Sequence, residues 1–159
     1  MIDKDLIQKW LADEGMFKRE IPDDGADFHF IVNFPENQGM DLVKPKGKEL
    51  ILILCATNVD SGQMDLIKAA SDSVKQDFIW DLRFTLNNLL LDFNLNHPND
   101  VLEQFIITDD IFDDGLTKHV LMKTIKKVFK GKLNVIWKLE KTFLNTNGNV
   151  KPSDDSMFA

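Results

Sequence analysis

Cysteine occurs only once in this chain, and the longest uninterrupted apolar stretch is Leu50–Ala56. A lone thiol excludes an intramolecular disulfide and a multi-cysteine metal centre. Cys55 falls inside that same apolar stretch, so it reads as a buried structural thiol. The stretch itself is far too short to cross a bilayer, and the opening residues Met-Ile-Asp-Lys-Asp are not a basic segment followed by an apolar one. A cytoplasmic protein without membrane contact is expected. Glycines stand singly at 15, 25, 39, 47, 62, 115, 131 and 148, which leaves neither a phosphate-binding loop nor a dinucleotide fingerprint. A Gly-x-Ser-x-Gly elbow is also missing.

Histidine is scarce, and His29, His97 and His119 are too far apart to form a metal-ligand pair. The acidic run Asp109, Asp110, Asp113, Asp114 places Gly115 where a calcium loop starting at Asp110 needs its glycine. Phe112 and Leu121 then occupy two positions that must supply oxygen ligands. These carboxylates are better suited to the positive end of the helix that follows. No cofactor is expected, and the chain is not read as an enzyme. The alternative is a metal-dependent or hydrolytic enzyme whose site, including the aspartates at 109 to 114, is assembled only in three dimensions.

What is present is an ordinary globular composition: 159 residues, 43% hydrophobic and 28% charged, with a net charge of −7. One α+β domain over residues 1–143 is expected, followed by a disordered tail, 144–159, rich in Asn, Ser and Asp. The charge is unevenly spread. Residues 1–115 carry 10 Lys/Arg against 23 Asp/Glu, whereas residues 116–143 carry 8 Lys against one Glu. The acidic body argues against nucleic acid as a partner.

Periodicity gives the element order. Asp3 can cap a helix bearing Leu6, Ile7, Trp10 and Leu11, ended by Gly15. An edge strand at Phe17–Ile21 precedes the turn Pro22-Asp23-Asp24-Gly25. Phe28, Phe30, Val32 and Phe34 then alternate as a half-buried strand. A return strand holds Met40, Leu42 and Val43, and Glu49–Thr57 reads as a central strand covered on both sides. From Asp60 or Ser61 a long middle helix, interrupted near Ser71–Ser73, is expected to run toward Asn96. His97-Pro98 breaks it. One strand over Leu102–Ile111 and a closing helix over about Leu116 to Phe143, loosened at Gly131, complete the pattern. Segregated strands and helices predict an antiparallel sheet packed by helices.

Two helices say more. The closing helix puts Met122, Ile125, Val128, Phe129, Leu133, Ile136, Leu139 and Phe143 in one apolar stripe, with Lys123, Lys126, Lys127, Lys130, Lys138 and Lys141 opposite. The middle helix carries a core stripe of Val74, Phe78, Leu82, Leu86, Leu89 and Phe93. A second stripe, Trp80, Phe84, Leu91 and Leu95, lies opposite and is interrupted by Asn88, as a register-fixing polar residue would be. These five residues are the candidate dimer or partner interface.

The pattern Leu121-x-x-x-Ile125-x-x-Val128-Phe129 leading to Trp137 is similar to the closing helix of type III secretion chaperones, and the ground plan over residues 3–143 resembles those small acidic proteins. The chain also resembles an uncharacterised archaeal family, a domain of unknown function thought to share the fold. The resemblance implies dimerisation through the middle helix and a protein or peptide partner. The expected function is therefore a non-enzymatic, chaperone-like protein-binding module, homodimeric, with its partner unidentified.

Overall fold

The structure, a computed structural model, describes residues 1–144; the expected tail from 145 lies outside the described residues. Its elements are α1 (Lys4–Asp13), β1 (Phe17–Glu20), β2 (Ala26–Asn33), β3 (Gly39–Pro45), β4 (Leu50–Asn58), α2 (Ser61–Ala69), α3 (Asp72–Asn88), β5 (Asp92–Asn96), β6 (Gln104–Phe112) and α4 (Lys118–Leu139). A π turn, Glu140–Leu144, follows α4. The six strands form one sheet in the order β1-β2-β3-β4-β6-β5. The first three pairings are antiparallel. Bonds from Val59 N to Glu103 O and from Asp113 N to Glu49 O run the same way between β4 and β6. The expected α+β class, an antiparallel sheet packed by helices, is the observed one.

The chain forms two compact units, Met1–Cys55 with Thr108–Phe129, and Ala56–Ile107 with the chain from Lys130 onward. In the first unit, Asp3 caps α1 by accepting from the Asp5 and Leu6 amides, and Gly15 follows the helix at φ 69°. Only glycine takes that left-handed turn without strain. Ile7 and Leu11 are buried on one face of α1. Along β2 the alternation Ala26, Phe28, Phe30, Val32 faces inward. Phe30 packs edge-on against Phe17 and stacks on Phe28. Leu121, Ile125, Val128 and Phe129 from α4 are buried with them. Each such side chain contributes roughly 1.5–3 kcal/mol by leaving water.

β4 departs from expectation. Ile51, Ile53 and Cys55 are buried, but Leu50, Leu52 and Leu54 are only half-buried, so the strand is fully covered on one side alone. Leu52 sits opposite Val43 and Leu54 opposite Asp41. Cross-strand neighbours of this kind screen part of an open face without a second layer.

The second unit has the interruption expected near Ser71–Ser73 and corrects the expected end of the middle helix. Asp60 caps α2 and Ser71 caps α3, so Ser71 divides the region into two helices. α3 then stops at Asn88 instead of continuing toward Asn96. The stop uses no glycine: Leu90 takes φ 59°, and the Leu91 amide donates back to Leu86 O at 3.2 Å. This is the left-handed helix ending that glycine usually provides. The remaining residues form β5, so two strands follow the helix and not one. Of the expected core stripe, Phe78, Leu82 and Leu86 are buried, whereas Val74 at the first turn is exposed.

Gly131 is the other correction. It does not loosen α4, which runs unbroken through it. A Cβ there would lie 2.5 Å from Leu91 Cδ1 and 3.3 Å from Ile107 Cγ2, so its missing side chain admits the leucine.

Candidate functional site

The five candidate interface residues do not share one face. Leu91, 4% exposed, is buried beyond the helix end, and Leu95 is half-buried on β5. Their helical spacing to Trp80 ends where α3 ends. What remains is Trp80, Phe84 and Asn88, four residues apart and therefore on one line of α3. Trp80 is 54% and Phe84 62% exposed, with ring centroids 6.0 Å apart. Asn88 is exposed at the end of the helix.

The surroundings hold this pair in place. The Arg83 guanidinium lies 4.6 Å from the Trp80 ring centroid, a cation–π distance. Arg83 Nη2 also lies 3.2 Å from His97 Nε2. A guanidinium only donates, so Nε2 accepts and the ring proton is on Nδ1. Sequence alone could not link these residues, because a helix end and a strand separate them. Asp81, beside Trp80, accepts from Lys138 Nζ at 2.8 Å.

Clefts open among the described residues of the same unit. One, of about 440 Å³, is lined by Leu66, Ala69, Ala70, Ser71, Val74, Thr142 and Phe143. Another, about 150 Å³, is lined by Thr57, Asn58, Val59, Gln63, Phe105, Ile136 and Leu139. Neither lining includes a carboxylate, imidazole or thiol.

Elsewhere, several chemistry-bearing residues are engaged with one another. His29 Nδ1 lies 2.9 Å from Asp23 Oδ2, and Nε2 lies 2.9 Å from Asp41 Oδ2. Val43 stands opposite His29 in the β2–β3 pairing, which places Asp41 two residues along the same strand; knowing the register would have revealed that contact. The His29 hydrogen bond, with help from the Gly25 amide, holds the Asp23 carboxyl below its usual range. Lys44 Nζ donates to Asp27 Oδ2 at 2.7 Å and to Lys48 O at 3.0 Å, and the Asp27 bond raises the ammonium above its ordinary value.

The acidic run is divided too. Asp109 Oδ2 accepts from Lys127 Nζ at 3.0 Å, and Asp113 Oδ2 from the terminal amine at 3.0 Å. Among the described residues no three His, Cys, Asp or Glu side chains are grouped so as to hold a metal ion. No described helix is long and apolar enough to cross a membrane. The α4 lysines are not uniformly solvated, since Lys118 pairs with Glu14 and Lys127 with Asp109.

An antiparallel six-stranded sheet packed by helices defines an α+β fold. The chain belongs to the family described as "Uncharacterized conserved protein (DUF2299)", whose pattern matches residues 3–139. It is similar to an uncharacterised protein from Methanothermobacter thermautotrophicus of known crystal structure, at 44% identity, covering 89% of this chain and 99% of that one, with a TM-score of 0.87. It is also similar in fold to a chain of the ExsC–ExsE complex (13% identity, 86% and 96% covered, TM-score 0.53). A chain of the HopA1–SchA chaperone–effector complex matches at 15% identity, with 84% and 97% covered and a TM-score of 0.49. No curated protein matches the chain.

Proposed function

We propose that this protein is a non-enzymatic, chaperone-like protein-binding module of the cytoplasm, which associates through the Trp80–Phe84–Asn88 face of α3 and forms a homodimer. The observation that carries it is the pair of large aromatic side chains, both more than half exposed, side by side on a helix otherwise packed on its own core. Leaving two such rings in water forgoes burial that aromatic residues supply at association surfaces. The engagement of His29 with Asp23 and Asp41, of Lys44 with Asp27 and of Asp109 with Lys127 supports binding over catalysis.

The test is the mass in solution, by light scattering on a sizing column, of the native chain and of a Trp80→Asp, Phe84→Asp variant. A native dimer and a folded monomeric variant are expected. A native monomer, or a variant that stays dimeric, overturns association through this face.

A further inference from the structure

The lysines of α4 fall into two groups. Lys127 and Lys138, on one flank of the helix, donate to Asp109 and Asp81. Lys123, Lys126 and Lys130 have no carboxylate partner among the described residues. Their own helix cannot neutralise them either, since Lys118–Leu139 contains no Asp or Glu. At the α-helical repeat these three lysines and Trp137 lie within an arc of about 60°. All four are exposed, the indole by 39%. On a chain of net charge −7, this is a single file of free positive charge that ends on an aromatic ring.

We infer that this line receives an acidic helical segment of a partner protein. The segment carries Asp or Glu at a spacing of three and then four residues, with an apolar residue two turns further on. Charge complementarity sets the sign of the partner. Spacing sets its shape, because a second helix laid alongside presents side chains in the same three-and-four rhythm as Lys123, Lys126 and Lys130. Trp137 then offers its ring to an aliphatic side chain at the end of the row. The width of the line argues against a broader polyanion. Asp109 and Asp81 border it through their lysines, so the phosphates of a duplex or of an anionic bilayer would come against carboxylates, a repulsion that one narrow helix avoids. The line is separate from the α3 face and does not depend on association through it.

The probe is a labelled alanine-based peptide with Glu at i, i+3 and i+7 and Leu at i+14, titrated into the full chain at low salt by fluorescence anisotropy. Saturable binding is expected, weakening as salt is added. The Lys123→Gln, Lys126→Gln, Lys130→Gln triple variant should keep the native thermal midpoint and bind about tenfold more weakly. Trp137→Ala should weaken binding of this peptide and leave that of a peptide with Ala at i+14 unchanged. No binding at low salt, or binding that the triple variant leaves unaltered, overturns the proposal. Tighter binding of a DNA duplex, an oligothymidylate or phosphatidylserine vesicles than of the peptide overturns the choice of partner. The Trp80→Asp, Phe84→Asp variant should bind the peptide as the native chain does, so failure of the α3 reading and failure of this one are read separately. Loss of peptide binding in that variant would move the site from α4 to α3.

Discussion

Leu91 Cδ1 occupies the space that a β-carbon on residue 131 would need, so Leu91 and Gly131 are coupled residues of the second unit. The left-handed turn at Leu90 sends Leu91 off the end of α3, and the bare backbone at Gly131 receives it. Gly131→Ala should gain about 1 kcal/mol of helix propensity and lose about 1–3 kcal/mol to overpacking, for a net loss near 1 kcal/mol. Leu91→Ala should lose about 2–5 kcal/mol. The double variant should lose clearly less than the sum, because the truncated side chain vacates the contested space. Urea unfolding of all four proteins checks the cycle.

Leu90 is 79% exposed and held at φ 59°. A leucine gives up about 1 kcal/mol in that conformation, and this one buries little in return. Leu90→Gly should raise stability by up to about 0.5 kcal/mol, after the entropy lost by glycine on folding is counted. A lower thermal midpoint would show that the leucine holds the turn through packing.

The Asp23 carboxyl, held below its usual range by His29 and the Gly25 amide, gives a sign for acid sensitivity. A carboxylate depressed in the folded state contributes stability above its unfolded value and loses it as pH falls through the folded one. The native chain should therefore weaken on acidification below the ordinary carboxylate range, and Asp23→Asn should flatten that part of the profile. Denaturant midpoints from pH 6 downward, roughly to pH 3, read the difference.

Lys44 has 7% of its side chain exposed and a raised ammonium, the opposite sign. Its contribution is fully present below the ordinary lysine value and disappears as pH rises through the folded one. Lys44→Met keeps the buried stem and removes both hydrogen bonds, leaving Lys48 O without its donor. A cost of about 1–3 kcal/mol is expected by chemical denaturation at neutral pH.

A ligand that binds only the native state raises its melting temperature. A panel of divalent cations and nucleotides should leave the thermal midpoint of this protein unchanged. A shift with any of them would favour the enzymatic alternative.

Much of the fold was legible because its signals are local. Asp3 before Leu6, Ile7 and Leu11, the alternation Phe28-Phe30-Val32, and Ser71 at a helix break each report their own element through capping or period. The exposed aromatic residues Trp80 and Phe84 were legible for the same reason, since helical spacing alone sets them opposite Phe78 and Leu82. Leu91 and Leu95 were misplaced because spacing cannot say where a helix ends when a leucine takes the place of the usual glycine. That ending depends on tertiary packing: the room left by Gly131 40 residues downstream, filled by Leu91. The sequence by itself determined the capped first helix, the alternation of β2, the break at Ser71 and the uneven charge. Only the tertiary structure decided the last turn of α3, the single covered side of β4, and which carboxylates meet His29, Lys44 and Lys138, because each is settled by residues distant in the chain competing for one space or one proton.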